Sequence, residues 1–172
     1  MANASHPALY DASVPVFSAM LANLSHCLAR GEENAKERNI DPQVFLNSRL
    51  APDMFALTRQ VQIATDHAKG APFRLTGRDV PSLADNEASF ADLHARIQAV
   101  REMMKEFKPA EFEGAETRDV VVKTRMRELN FKGLQYLHHY ALPNFYFHTT
   151  TAYAILRHNG VPIGKLDFLG GR

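Results

Sequence analysis

Residues 136–160, YLHHYALPNFYFHTTTAYAILRHNG, hold four of the eight histidines in this 172-residue chain. Their reading decides the fold. At roughly 100° per residue, Leu134, His138, Ala141, Phe145, His148, Ala152 and Ile155 fall along one stripe of a helix. That helix starts near Leu134 and stops at Asn159, because Gly160 suits a left-handed C-cap and Pro162 blocks continuation. Pro143 predicts a bend within it. His148 therefore points where the apolar residues point. His139 lies about half a turn away from it, and His158 sits roughly 15 Å further along the axis. Neither can share a metal with His148, and His138 is as far behind. A helix that binds metal by itself wants histidines four apart on one face. The position four beyond His148 is Ala152, so any ion at His148 needs ligands from other helices, as bundle-core sites do.

Three more helical blocks precede this one. Phe17, Met20, Leu21, Leu24, Cys27 and Leu28 recur at three-and-four spacing, predicting helix 1 from about Ser13 to Arg38. Pro15 is tolerable there if Ser13 caps the start. Leu50, Met54, Leu57, Val61, Ala64 and Ala68 share the stripe of helix 2, which is expected to stop at Gly70 with Pro72 behind it. The run FRLTGRDVPSLAD reads as a loop. Phe90, Leu93, Ile97, Val100, Met104 and Phe107 then hold a helical register that ends before Pro109, giving helix 3. Between helices 3 and 4 the period changes. Val120 to Val122, then Leu129 and Phe131 alternating with polar residues, predict two short strands, although no Gly or Pro marks a turn between them. The fold class expected is all-α: a four-helix bundle with a short β-hairpin between helices 3 and 4.

Bulk properties narrow the function classes. A chain with 45% apolar side chains can bury one sizeable core, so a single domain over residues 1–172 is expected. Basic and acidic residues nearly cancel, at 20 against 19, and no block of like charge appears, so a nucleic-acid partner is not expected. The N-terminus lacks a basic start followed by a long apolar run, and no membrane span is expected. The protein is expected to be soluble and cytoplasmic. Cys27, the lone cysteine, cannot form an internal disulfide and fits a reducing compartment.

The four-helix layout, the inward His148 and the closing segment LPNFYFHTTTAYAILRHNGVPIGKLDFLG resemble the DinB/YfiT-like superfamily of bacterial four-helix bundles. Within it, that segment looks most like an uncharacterised branch known only as a domain of unknown function. The likeness covers nearly the whole chain, and its specific part runs from Leu142 to Gly170. Proteins of the superfamily typically hold a divalent metal through three histidines, one from the second helix and two four apart on the last. Several transfer or isomerise using low-molecular-weight thiols. The resemblance implies that His148 stands for the first histidine of the last-helix pair and His67 for the second-helix one. Ala152 occupies the third position, so the ligand set is broken. No metal cofactor is expected, with zinc or nickel as the ions the pattern would otherwise take.

Each candidate has an ordinary reading beside the functional one. A histidine on an apolar stripe is usually a hydrogen-bonded core residue, and for His148 that reading takes precedence. His67 near the end of helix 2 equally suits the helix dipole. Asp66 adjoins it but points about 100° away. Cys27 reads as a small buried hydrophobe. GVPIGK looks like a phosphate loop but is a residue short and follows a helix, so it reads as a helix stop and a turn. Asp85, Glu87 and Asp92 read as negative charge at the start of helix 3. Three functions stay open: a small-molecule binder with an altered metal pocket between helices 2 and 4, a metal-dependent enzyme transferring a low-molecular-weight thiol, and a structural protein serving assembly. A homodimer through helix 4 is expected, because a second stripe of Tyr136, Tyr140, Phe147 and Ala154 leaves that helix apolar around most of its circumference.

Overall fold

The four apolar stripes become four long helices. In the computed structural model, which describes residues 7–124 and 126–171, a short α1 (Ala8–Asp11) leads into α2 (Val14–Glu37), and α3 (Pro42–Leu46) precedes α4 (Leu57–Leu75). Helix α5 (Phe90–Met104) is followed by a 3-10 turn at Pro109–Phe112 and the strands β1 (Asp119–Lys123) and β2 (Glu128–Lys132). The last long helix is composite: α6 (Gly133–Tyr136), a π turn at Leu137–Ala141, and α7 (Leu142–His158), with α8 (Lys165–Leu169) closing the chain. Around the bundle α2 packs on α5, α5 on α4, α4 on α7, and α7 on α2. The stripes thus meet in one core, where Phe17, Leu21, Val61, Ile97, Phe145 and Ile155 are buried.

The hairpin forms as its alternation predicts. Val120 pairs with Phe131 and Val122 with Leu129 in an antiparallel register, and both valines face inward. A threonine does the work of the missing turn glycine. The Thr124 hydroxyl accepts from Met126 N at 3.3 Å and Arg127 N at 3.1 Å while donating to Arg127 O at 2.7 Å, a side-chain mimic of a backbone turn.

Helix α4 departs from the sequence reading. Leu50 and Met54 lie in the loop before it, and the helix runs through Gly70 and Pro72 to Leu75 instead of stopping. Proline inside a helix costs about 3 kcal/mol. The two further large side chains buried by the extension, Phe73 and Leu75, each contribute about 1.5–3 kcal/mol, which outweighs that cost. A smaller correction concerns a helix end. Ser13 precedes α2, but its hydroxyl donates back to Leu9 O at 2.5 Å and does not cap the helix. By length and composition alone, Ala8–Glu37 would pass for a membrane span, with a window of mean hydropathy 1.3, contrary to the expectation of none. The bundle core accounts for that apolarity, because the face carrying Phe17, Leu21, Leu24 and Leu28 is buried in it.

The composite last helix changes which residues face inward. Pro143 has no N–H for the carbonyl four residues back and its ring crowds that carbonyl. The chain meets this with the wider turn just before it, where hydrogen bonds span five residues. One extra residue in a turn rotates everything upstream by about 100°. Downstream the predicted stripe holds: Ala141, Phe145, His148, Ala152 and Ile155 are all buried. Upstream it slips, leaving Leu134 48% exposed and His138 on the surface, while Tyr136 and Leu137 are buried instead. At the C-terminal end Gly160 adopts φ +87°, the left-handed cap that the sequence implies.

Candidate functional site

Three polar residues of α4 recur at a spacing of seven, Gln60, His67 and Arg74, and so share one face of the helix. They look toward the composite last helix. The rings of His67 and His148 lie 6.2 Å apart between centroids, with planes 13° from parallel. The structure therefore brings together the two histidines singled out in the sequence. Ala152 is fully buried one turn beyond His148, and no group of three or more His, Cys, Asp or Glu side chains that could hold a metal occurs among the described residues. His138, His139 and His158 are exposed, His138 because the π turn rotates it off the predicted stripe.

Gln60 sets the chemistry of His148. Its Nε2 donates to Phe55 O at 3.0 Å, which leaves Oε1 as the acceptor facing His148 Nδ1 at 2.7 Å. The neutral imidazole then carries its proton on Nδ1 and presents a free lone pair on Nε2. Burial is the main cause holding both rings neutral, lowering each to about 4. His148 and then Arg74 add to this at His67, and Arg59 adds to it at His148. The alternative of a charged His67 answering the helix dipole does not hold, since the ring is neutral at physiological pH and α4 continues to Leu75.

Aromatic side chains close the same site. Tyr140 meets His67 edge-on at 5.6 Å and stacks on Tyr136 at 6.0 Å. Phe131 from β2 covers both tyrosines, at 5.4 Å from Tyr140 and 6.1 Å from Tyr136. Arg74 Nη1 donates to Tyr136 Oη at 3.2 Å. Tyr136 is fully buried, and desolvation raises its hydroxyl above the usual phenol range, with Arg74 opposing. The hairpin is thus a lid on the tyrosines, and the π turn is what rotates Tyr136 beneath it.

A second polar cluster flanks the first. Arg96 of α5, its side chain 2% exposed, donates to Thr65 Oγ1 at 2.7 Å, Ala84 O at 2.8 Å, Glu87 Oε1 at 2.9 Å and Asp66 Oδ1 at 3.0 Å. Asp85 Oδ1 lies 3.1 Å from the same guanidinium. Asp85 and Glu87 therefore serve Arg96 from the loop before α5 and do not begin that helix, whereas Asp92 does sit in its first turn. Asp66 is committed to Arg96 and to Lys69 at 3.1 Å, so it turns away from His67. Sequence reading missed Gln60, Arg74 and Arg96. The first two share a seven-residue spacing with His67 that the sequence displays, while an isolated arginine on a helix carries no signal.

A helical bundle with a hairpin over the N-terminal part of its last helix is the fold of DinB-family proteins. A crystal structure of a DinB family member protein from Shewanella denitrificans is similar to this chain at a TM-score of 0.89 and 44% identity, covering 94% of this chain and 92% of that one. The chain belongs to the family described as domain of unknown function DUF1993, whose profile matches residues 9–169. Among curated proteins none matches it.

Proposed function

We propose that the polar site between α4 and α7, around His67 and His148, binds a small organic molecule and keeps the place of a metal centre that has lost its ligand set. The observation that carries this reading is the neutral pair His67 and His148, 6.2 Å apart, with the methyl group of Ala152 where the resemblance implies a third imidazole. Two imidazoles supply half the donors of a tetrahedral zinc site, so the residues present do not fit a resident zinc or nickel ion. No chemical step is routed through one. The electrostatics also favour binding over catalysis. A general base works best with a pKa near the operating pH, and a histidine held at about 4 is a weak base that serves better as a hydrogen-bond acceptor.

Two measurements on untagged protein test this. Elemental analysis is expected to find zinc, nickel and iron well below one ion per chain. A near-stoichiometric metal that disappears in His148→Ala would overturn the reading and promote the metal-dependent thiol-transfer alternative. A screen of small fragments by NMR is expected to give saturable shifts of the His67 and His148 ring signals, and a pocket that answers to no fragment would favour the assembly alternative.

A further inference from the structure

Resting on the reading of the His67–His148 site as a ligand site, we infer that Arg74, seated on Gly70, is its anion receptor, and that the ligand is a small carboxylate with a planar or aromatic body. Arg74 is half-buried, yet among the described residues its one hydrogen bond goes to a phenol, Tyr136 Oη. Among the described residues no carboxylate pairs with it. Other arginines of this protein are answered: Arg96 by Asp66, Asp85 and Glu87, Arg59 by Asp85, and Arg78 by Glu106 and Glu111. Arg101 and Arg118 give their protons to the backbone carbonyls of Ser18 and Leu75. A guanidinium with most of its five donors unclaimed, partly withdrawn from water, is a strong and geometrically specific partner for a carboxylate.

Gly70 supplies the independent observation. Glycine is the poorest helix former after proline, and one inside a helix costs about 1 kcal/mol relative to alanine. Here it sits buried in mid-helix, and the three atoms nearest to an added Cβ all belong to the Arg74 guanidinium, with which that Cβ would overlap. The bare backbone at Gly70 is what lets the guanidinium fold onto the helix beneath Tyr136.

The surroundings agree in sign and shape. His67 and His148 are neutral and do not compete for the anion, while the charges of Arg74 and Arg59 both reach the imidazole pair. The nearest acid in sequence, Asp66, is engaged elsewhere. Tyr140 and Phe131 keep part of their rings uncovered beside His67, and an aromatic edge of this kind suits a flat apolar body.

The test uses benzoate and its neutral isostere benzamide, titrated at millimolar concentration and followed through the Arg74 Nε–H and His67 ring signals. Benzoate is expected to shift both signals saturably, and benzamide to bind roughly tenfold more weakly or worse. Gly70→Ala improves helix propensity and so keeps the fold, yet it is expected to weaken benzoate roughly tenfold, as is Arg74→Gln. Equal binding of the two probes, with the His67 signal moving, would overturn the anion assignment and leave the pocket reading standing. Unchanged benzoate affinity in Gly70→Ala would overturn the seat. Silence from both probes would overturn the anion assignment and count against the pocket itself.

Discussion

His67 and His148 are packed where an imidazolium would lack both water and a carboxylate, and that has a consequence for acid stability. In the unfolded chain a histidine titrates near 6.5; in the fold both are lowered to about 4, first by burial. Between those values the unfolded state binds more protons than the folded one, so falling pH favours unfolding. The contribution is intact above about pH 6.5, declines as pH drops, and is spent near pH 4. Urea midpoints measured across that window are expected to fall more steeply for the natural chain than for His67→Gln/His148→Gln. Identical slopes would mean that these rings are not held neutral by the fold.

The loop between α4 and α5 is organised by one side chain on a helix. Arg96 gathers Thr65 and Asp66 from α4 with Ala84, Asp85 and Glu87 from the loop, and so ties two helices and their connection together. Glu87 is the costly member, because its side chain is 8% exposed whereas Asp66 and Asp85 reach water. Removing one partner of a buried pair leaves an uncompensated charge and typically costs about 3–5 kcal/mol. Arg96→Ala should therefore lose stability of roughly that size in chemical denaturation, with amide exchange accelerating first across residues 76–89. A drop below about 1 kcal/mol would show the cluster to be solvated like an ordinary surface network.

Assembly of the entire chain is a matter of what remains uncovered on α7. Tyr136 and Tyr140, expected on a partner-facing stripe, are covered within the chain by Phe131 and by each other. The case for a homodimer narrows to Phe147, 56% exposed, and Tyr146 beside it. With Leu50, Pro143, Thr150 and Ala154 they line a cleft of about 480 Å³. Aromatic side chains of this kind anchor interfaces. Sedimentation at micromolar concentration is expected to give a dimer, and Phe147→Arg a folded monomer. A single-chain mass for the natural protein would remove the dimer.

Periodicity alone was enough to read four helices and the hairpin, because burial against one core demands repeats that a linear sequence displays openly, whereas the pairing of His67 with His148 came from the family resemblance. Ala152 in place of a third imidazole was equally plain, being a matter of residue type at a known offset. Helix ends and rotations were not. The sequence places a stop at Gly70 and Pro72, but the burial of Phe73 and Leu75 carries α4 past it. It places Leu134 and His138 inward, but the π turn before Pro143 rotates them out and turns Tyr136 in. The roles of Gln60, Arg74 and Arg96 depend on partners 88, 62 and 31 residues away respectively. Such contacts exist only once the chain has folded, and polar groups choose those partners by direction and distance, which no local pattern records.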